Sequence, residues 1–574
     1  IFPIMSIPTY QERAQSWLDP FFDLETHQTI HSLFDEPKEL EDRFYKDLEF
    51  GTGGMRGTMG VGTNRINRYT LGRNTQGLCH YLHQCYPQTQ IKVAIAYDCR
   101  HQSDTLAKVV AEVFSANDIK VFLFPELRTT PALSFTVKHL GCHAGIVLTA
   151  SHNPPEYNGY KVYWTDGGQI VPPQDKAIID AINALDFKDV RFTPKPELIE
   201  LLDADVDQAF ELAVLTNGRF QAPQRDKLNI VFTPLHGTSI TAIPSVLEKT
   251  GYTQLHVVAE QAQPNGDFPT VVSPNPEETE ALSMAISQAE SIGADLVIGT
   301  DPDSDRLGIA ARNKSGQLEI INGNQTMVLM LDFLLQQRAK KGFAPGDFIA
   351  STIVSTPMVQ RLADYYQVEL KTTLTGFKWI AQAIEAHPHQ HFIGGGEESY
   401  GFMVGDFVRD KDAVTATLLA CEIAAWAKSQ GETLFDLLEG LYQVHGQYLE
   451  KLVSLVRKGK EGAQEIEATM SALRQEPPHT LGGSAVVRID DYLHQKSTRT
   501  LEHLVEEISF PKSNVLIFHT EDGSMIAARP SGTEPKIKFY ISVCEPRPEG
   551  SSAEQTQSIL EHRIQHLIKD LGIA

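Results

Sequence analysis

Ser151 stands in the stretch TASHNPP (149–155), directly after an apolar segment with the character of a β-strand. The two prolines stiffen the turn, so the serine hydroxyl is expected to project from the edge of a sheet. A nucleophilic serine needs a base or a cation beside it, and His152 and Lys161 are the candidates. The serine-hydrolase elbow is excluded, because Thr and Asn stand where that motif requires glycine. An ordinary loop with a local hydrogen-bonded turn is the alternative.

The stretch DPDSDR (301–306) places three aspartates at alternate positions directly after the strand-like segment 294–298. Carboxylates this close repel one another unless a cation lies between them, and a donor set of oxygens alone suits Mg²⁺. A calcium-binding EF-hand is excluded, because Arg306 and Arg312 stand where that loop requires Gly and Glu. Arg306 would offer a positive charge to an anion that also binds the metal. A solvated acidic turn is the alternative.

A glycine-rich segment, GGGEESYG (394–401), follows another short apolar strand. Its glycines allow close approach of the backbone, while Glu397 and Ser399 offer hydrogen-bond acceptors suited to neighbouring sugar hydroxyls. A flexible turn with solvated acids is the alternative. This segment indicates a hydroxyl-binding loop chiefly in combination with the other motifs.

The segment RPSGTEPK (529–536) has the composition of a phosphate-binding loop. The planar guanidinium of Arg529 matches phosphate oxygens, and hydroxyls beside an open backbone complete the cradle. The residues that would supply them are Ser531, Gly532 and Thr533. No Walker sequence or complete dinucleotide fingerprint occurs in the chain, so nucleotide-driven chemistry has no support. A plain turn before the next strand is the alternative.

Two further loops each carry one cation. Arg56 lies in the glycine-rich GTGGMRG (51–57), a weak signal for an anion site, and Lys378 stands at a strand-to-helix turn, where a solvated lysine is the ordinary state. A serine nucleophile, a Mg²⁺ site, a hydroxyl-binding loop and a phosphate cradle together compose a phosphoryl-transfer enzyme acting on sugars.

The elements that must position these loops alternate along the chain. Strand-like runs such as 92–97 and 348–353 alternate with helical stretches such as 104–117 and 325–341, which indicates α/β architecture with mostly parallel sheets. The end of the chain differs, because polar and apolar residues alternate over 536–543 as in a half-buried antiparallel strand.

We therefore expect three α/β domains and a smaller C-terminal α+β domain, each contributing one site loop. The expected limits are 1–208 for the serine loop, 209–318 for the metal loop, 319–450 for the sugar loop and 451–574 for the phosphate loop. The polar stretch 458–478 is expected to be an interdomain or surface excursion.

Length and composition agree with this organisation. The 574 residues suffice for roughly four domains of about 150 residues each. A net charge of −23 excludes nucleic acid and anionic membranes as general partners, because the long-range field repels both. No apolar run approaches the roughly 18 residues of a membrane span. Six cysteines without a C-x-x-C pair predict reduced thiols in a cytoplasmic protein, and we expect the native chain to begin at Met5.

In this order, TASHNP, DPDSDR, GEES and RPSGTEP resemble the motifs of the α-D-phosphohexomutase superfamily over essentially the whole chain. FGTGGMRG (50–57) and SHNPPEYNGYKVYW (151–164) are similar to the branch that holds bacterial phosphoglucomutases and animal phosphopentomutases. The resemblance implies a heart-shaped α/β protein of four domains, three of them with mixed sheets, and an active site in the central cleft.

The resemblance also implies roles for the motif residues. Ser151 would be phosphorylated and would hold one Mg²⁺ together with Asp301, Asp303 and Asp305. The remaining catalytic candidates are Arg56, Arg306, His152, Lys161 and Lys378, and which of the last three is the acid or base stays open. The substrate would be held by Glu397 and Ser399 at its hydroxyls and by Arg529, Ser531, Gly532 and Thr533 at its non-reacting phosphate.

The activity that the resemblance implies is interconversion of glucose 1-phosphate and glucose 6-phosphate through glucose 1,6-bisphosphate, which also serves as activator. GEES favours glucose phosphate, with mannose phosphate and ribose phosphate as alternatives. A glucose 1,6-bisphosphate synthase, a metal-dependent phosphatase and an inactive scaffold homologue also stay open, as does the choice between monomer and dimer. An anionic substrate predicts a positive cleft in a negative molecule, lined by Arg56, Lys161, Arg306, Lys378, Arg529, Lys536 and Lys538.

Overall fold

A computed structural model of the chain describes residues 8–51, 53–457, 459–531, 536–547 and 552–573, without the side chains of 459, 460 and 463. Met5, Gly532 and Thr533 lie outside the described residues. The strands of the described part form four sheets, which follow one another along the chain.

The first sheet is mixed and carries the Ser151 loop. Its strands are β1 (Gly54–Thr58), β2 (Lys92–Tyr97), β3 (Lys120–Leu123), β4 (Ala144–Leu148), β5 (Tyr157–Tyr163) and β6 (Ile199–Leu201), in the order β1-β5-β4-β2-β3-β6. The helices of this part are α1 (Tyr10–Ser16), α2 (Leu24–Leu33), α3 (Pro37–Phe44), α4 (Arg68–Cys85), α5 (Ser103–Ala116), α6 (Thr130–His139) and α7 (Gln174–Asn183). β2, β3, β4 and β6 are parallel, whereas β5 is antiparallel to β4 and β1. Every residue of β4 is buried, as expected for an apolar strand covered on both faces.

The second sheet is also mixed and ends at the aspartate-rich turn. Its strands are β7 (Ile230–Thr233), β8 (Leu255–Val257), β9 (Leu296–Thr300), β10 (Leu307–Arg312) and β11 (Leu318–Ile321), in the order β11-β10-β9-β7-β8. The accompanying helices are α8 (Ala204–Gly218), α9 (Ile243–Thr250) and α10 (Thr279–Ile292). β9 and β10 form an antiparallel pair, and the turn between them holds the three aspartates.

The third sheet carries the glycine-rich sugar loop. Its strands are β12 (Asp347–Thr352), β13 (Glu369–Thr373), β14 (His391–Gly396) and β15 (Phe402–Val404), in the order β13-β12-β14-β15. Its helices are α11 (Gly323–Lys341), α12 (Met358–Tyr366), α13 (Phe377–Glu385), α14 (Ala413–Ser429) and α15 (Leu434–His445). One continuous apolar core joins this sheet to the second sheet, with contributions from α8 and α14.

The fourth sheet is antiparallel throughout. Its strands are β16 (Gln447–Val456), β17 (Thr480–Leu481), β18 (Ser484–Asp491), β19 (Lys496–Arg499), β20 (Leu504–Glu507), β21 (Leu516–Thr520), β22 (Met525–Pro530) and β23 (Lys536–Glu545). Their order is β16-β23-β22-β21-β18-β19-β20, and β17 pairs with β18. Two helices accompany this sheet, α16 (Gly459–Gln475) and α17 (Ala553–Asp570). β23 confirms the strand predicted from the polar and apolar alternation.

The stretch 458–478, expected to be an interdomain or surface excursion, contains a regular helix. Most of this stretch is α16, because Ile466 and Met470 recur at helical spacing and bury their side chains against the fourth sheet. Because most residues of the stretch are polar, its narrow apolar stripe is difficult to recognise from the sequence.

The domain limits proposed at 208, 318 and 450 fall inside α8, β11 and β16. The division into four domains therefore stays a proposal, and each limit has to move by a few residues to lie between elements. All six cysteines are free thiols. Among the helices described here, none combines the length and apolar character that crossing a membrane requires.

Candidate active site

The Ser151 loop leaves β4 and brings the serine to the second sheet. Ser151 is buried, and its Oγ atom donates a hydrogen bond to Asp301 Oδ2 at 2.7 Å. The same Oγ lies 3.2 Å from Nδ1 of His152. Ser151 adopts a φ of 52°, in the left-handed region that is unfavourable for a residue with a Cβ atom. The fold thus holds the hydroxyl at the aspartates through a locally strained backbone.

Asp301, Asp303 and Asp305 are buried together at the turn from β9 to β10, which excludes a solvated acidic turn. One oxygen from each lies within 4.8 Å of the others, a spacing that could hold a metal ion. Asp301 Oδ1 accepts the backbone N–H groups of Asp305 and Arg306, each at 3.0 Å. Burial, followed by the charges of the two neighbouring carboxylates, raises the pKa of Asp301 well above its usual value.

The residues present fit a hard divalent cation. The Oδ1 atoms of Asp303 and Asp305 are buried and have no hydrogen-bond partner among the described residues. A donor set made only of oxygens is the set that Mg²⁺ prefers, and uncompensated buried carboxylates are costly. Asp301, Asp303 and Asp305 could therefore hold a metal ion.

Two buried lysines face the aspartates from other elements. Lys161 Nζ, on β5, lies 2.6 Å from Asp303 Oδ2 and 3.1 Å from Asp305 Oδ2. Lys411 Nζ lies 3.2 Å from Asp305 Oδ2 and 3.1 Å from Asp410 Oδ1. Burial alone would lower the pKa of each lysine, but the carboxylates outweigh it and raise both values, so both ammonium groups stay charged. The positive charges of the cluster thus come from β5 and from the segment between β15 and α14.

Lys411 was missed by the sequence analysis. Its signal was available, because RDKD (409–412) places a lysine between two acids directly before the buried helix α14. Asp412 caps that helix by accepting the N–H groups of Val414 and Thr415, so the charged stretch has a fixed backbone. The side chain of Lys411 also explains why residue 401 is a glycine, since a Cβ atom at 401 would lie 2.2 Å from the lysine Cδ.

The two glutamates of the sugar loop have different surroundings. Glu397 is buried near Lys411, and burial raises its pKa to about 7 against the opposing effect of that lysine. Glu398 instead accepts hydrogen bonds from the hydroxyls of Thr352 and Ser355, both at 3.0 Å. Glu397 is therefore the acid available to a ligand, whereas Glu398 anchors the loop to its own sheet. Ser399 is half-buried on the turn that follows.

Two arginines flank the Ser151 loop and the aspartates. Arg56 Nη1 donates to Asn153 Oδ1 at 2.7 Å. Arg306 was expected to be available to an anion, but its guanidinium forms an ion pair with Glu277, which the sequence analysis did not single out. Burial, together with Arg306 and Arg56, keeps the pKa of His152 well below its usual value, so this imidazole is neutral.

Arg529, directly before the phosphate loop, interacts electrostatically with Lys378 and Lys538. Arg529 on β22 pairs in register with Lys538 on β23, and Ser531 N–H donates to Lys536 O at 2.7 Å. Burial lowers the pKa of Lys538 against the opposing charge of Glu277, and the cations Lys536, Arg306 and Arg529 lower it further.

Lys378, at the start of α13, is half-buried rather than solvated. Burial lowers its pKa to about 8, and the charge of Arg529 acts in the same direction. The charge of Asp175 opposes this lowering, so Lys378 interacts electrostatically with both Asp175 and Arg529. The part of the predicted cradle formed by Gly532 and Thr533 lies outside the described residues.

Three family domains match consecutive parts of the chain. They are described as phosphoglucomutase/phosphomannomutase, alpha/beta/alpha domains I, II and III, and they match residues 47–189, 211–316 and 322–445. A phosphoglucomutase of Staphylococcus epidermidis is 39% identical over 513 residues, which are 88% of this chain and 92% of that protein. A phosphoglucomutase of Staphylococcus aureus is 38% identical over 521 residues, covering 90% and 93% of the two chains.

Solved structures share the fold. Parafusin, a phosphoglucomutase of Paramecium solved in an open form, is 18% identical with a TM-score of 0.69, covering 92% of this chain and 95% of its own. A phosphoglucomutase/phosphomannomutase family protein of Burkholderia thailandensis is 19% identical with a TM-score of 0.64, covering 91% and 97%. The three family domains and the relatives at 38–39% identity agree with the motifs and with the buried serine and aspartates. The chain therefore belongs to the phosphoglucomutase/phosphomannomutase family of the α-D-phosphohexomutase superfamily.

Proposed function

We propose that this isomerase is a phosphoglucomutase that interconverts glucose 1-phosphate and glucose 6-phosphate through phosphorylated Ser151. The observation that carries the proposal is the position of Ser151 Oγ, 2.7 Å from Asp301 in a cluster of three buried aspartates. The names of curated relatives at 38–39% identity support the glucose phosphates as substrates. Mannose phosphate and ribose phosphate are the alternatives.

Mg²⁺ is the metal we propose for Asp301, Asp303 and Asp305, together with an oxygen of phosphorylated Ser151. When bound, it supplies positive charge that stabilises the phosphoryl group during transfer. Lys161 and Lys411 hold the carboxylates in place and bring positive charge to the same cluster. Phosphoryl transfer needs little covalent work from the protein beyond this positioning and charge compensation.

In the first step, the bond between phosphorus and Ser151 Oγ breaks and a bond forms to the free 6-hydroxyl of glucose 1-phosphate. The hydroxyl proton passes to a base, for which His152 and Lys378 are the candidates, because Lys161 stays charged beside Asp303 and Asp305. The product, glucose 1,6-bisphosphate, turns end for end. Its phosphoryl group at carbon 1 then returns to Ser151 Oγ, the sugar oxygen takes up a proton, and glucose 6-phosphate leaves.

The proposed substrate-binding residues allow one site to bind the phosphate at either end of the sugar. Arg529, with Ser531, Gly532 and Thr533, would hold whichever phosphate is not reacting, because a guanidinium binds phosphate oxygens as a pair. Glu397 and Ser399 would hold the ring hydroxyls, and Arg56 and Arg306 would compensate charge near Ser151. Substrate phosphate has to compete with Glu277 for Arg306, since those two side chains are paired.

The partner is thus a small sugar phosphate, with glucose 1,6-bisphosphate as activator, in a cytoplasmic enzyme. The positive cleft and the four-domain division belong to the same proposal. A glucose 1,6-bisphosphate synthase, a metal-dependent phosphatase and an inactive scaffold differ from it in their products.

The test compares kcat/KM for glucose, mannose and ribose 1-phosphates with Mg²⁺ and the matching bisphosphate, alongside intact-mass analysis of the protein. We expect phosphate on Ser151, a preference for glucose 1-phosphate, and loss of both phosphate and activity in Ser151→Ala. Ser115→Ala is the control, because Ser115 is buried in the same part of the fold and donates to Glu112 O. Near-normal activity in Ser151→Ala would overturn the mechanism, while net release of inorganic phosphate would indicate a phosphatase.

A further inference from the structure

Arg100 is a completely buried arginine whose guanidinium binds the backbone of the Ser151 loop. It stands on the connection from β2 to α5, and no part of its side chain is exposed. Nη2 donates to Ser151 O at 2.7 Å and also to Asn153 O. Nη1 donates to Pro154 O at 2.8 Å and to Tyr157 O at 3.0 Å. One side chain thus binds four backbone carbonyl groups, three in the loop and one at the first residue of β5.

The Ser151 loop needs hydrogen-bond donors from other parts of the chain, because two of its residues are prolines. Pro154 and Pro155 have no backbone N–H groups, so the turn cannot satisfy its carbonyls through a regular internal pattern. The left-handed φ of Ser151, 52°, also has a cost that only the surroundings can offset. A guanidinium carries five N–H donors in a rigid plane, whereas an ammonium group concentrates three donors on one atom.

Arg100 is itself held from two sides. Asp98 Oδ1 accepts the Arg100 backbone N–H at 2.9 Å, and Asp98 Oδ2 lies 3.4 Å from Arg100 Nε. On the other side, the ring of Phe268 covers the guanidinium at 5.1 Å from its centroid. Phe268 comes from the part of the chain that forms the second sheet, which also supplies the aspartates. A Cβ atom on Gly266 would lie 2.7 Å from His101 N, so the two backbones are in close contact.

We propose that Arg100 is the positioning residue that fixes Ser151 for phosphoryl transfer, an inference that rests on the function proposed above. Arg100 does not touch the Ser151 hydroxyl. It holds the carbonyl of the strained serine and those of residues that follow it, and it links them through Phe268 to the segment that precedes the metal loop. Displacing a reacting group by about 1 Å can lower a rate by about 100-fold, so a small shift of this loop is sufficient to impair transfer.

The test is Arg100→Lys, which keeps the positive charge and removes the planar set of donors. We expect kcat to fall by about 100-fold while KM changes by less than about threefold, because the non-reacting phosphate is bound at Arg529 rather than at this loop. Phosphorylation of the dephosphorylated enzyme by glucose 1,6-bisphosphate, followed by intact mass in a single turnover, should slow by the same factor.

Arg312→Lys is the matched control. The Arg312 guanidinium also binds backbone carbonyls, those of Ala294 at 2.7 Å and Ala289 at 3.3 Å, but it lies at the end of β10 away from the aspartates. Both variants should lower Tm, and only Arg100→Lys should lower kcat. A folded Arg100→Lys enzyme with wild-type kcat would overturn the inference and show a purely structural role.

A second variant keeps the test decisive if Arg100→Lys does not fold. Asp98→Asn removes the charge beside Arg100 Nε but keeps the acceptor for the Arg100 N–H, and we expect about a tenfold lower kcat with unchanged KM. An unchanged kcat in Asp98→Asn would then overturn the inference. An inactive wild-type enzyme would count against the proposed function instead.

Discussion

The ammonium group of Lys411 lies 3.2 Å from Asp305 Oδ2, joining the segment before α14 to the turn between β9 and β10. Both side chains are buried, and Asp410 Oδ1 lies 3.1 Å from the same ammonium group. The aspartate cluster is therefore stabilised across two sheets, and its geometry depends on how these sheets pack.

Lys411→Met should destabilise the protein and impair catalysis. The substitution removes the lysine beside Asp410 and one of the two lysines beside Asp305, and removing one partner from a buried pair costs about 3–5 kcal/mol. We expect a clearly lower Tm and at least about a tenfold lower kcat. Lys428→Met is the control, because its ion pair with Asp295, at 2.6 Å, is partly exposed and worth about 0–1 kcal/mol. Equal losses of Tm in both variants would contradict a special role for Lys411.

Asp301→Asn should separate metal binding from folding. Without metal, the substitution removes one of three mutually repelling buried carboxylates, and we expect an unchanged or higher Tm than in the wild type. Mg²⁺ should raise the Tm of the wild type, by binding the folded state, and leave the variant unchanged. Thermal unfolding with Mg²⁺ and with a chelator measures both effects. A variant that Mg²⁺ stabilises as strongly as the wild type would place the metal elsewhere.

Lys378 should produce a decrease in kcat/KM near pH 8. Burial lowers its pKa to about 8, and the charged form, which attracts phosphate, is lost as pH rises through that value. Lys378→Arg keeps the charge and should move the decrease to higher pH. A pH–rate profile with glucose 1-phosphate measures this shift. If Lys378 is instead the general base, Lys378→Arg will lose activity at every pH.

Glu450→Gln should stabilise the protein at high pH. Burial raises the pKa of Glu450 to about 7, against the opposing hydrogen bonds from Thr356 and Ser542. Because the folded state keeps this proton longer than the unfolded state, wild-type stability falls as pH rises from about 4.5 to about 7. We expect the variant to gain about 2–4 °C in Tm at pH 8 and little at pH 4.5. Glu506→Gln, on the exposed strand β20, is the control, and a gain that is equal at both pH values would contradict this assignment.

Much of the secondary structure could be predicted from local patterns. The strand at 92–97 and the helix at 325–341 match β2 and α11, since alternation and helical periodicity are properties of neighbouring residues. The helix α16 was missed because its apolar stripe is narrow, and the proposed limits at 208, 318 and 450 fall inside elements because a sequence pattern does not mark where a core ends.

The sequence by itself determined which loops carry chemistry, in what order they occur, and to which family they belong. Ser151, the three aspartates and Arg529 stand in short motifs whose residue types suffice to indicate phosphoryl transfer. Only the tertiary structure decided that Lys411 faces Asp305, that Glu398 turns away from the site, and that Glu277 pairs with Arg306. These contacts join residues that are distant along the chain, so they depend on strand order and packing, which local spacing does not encode.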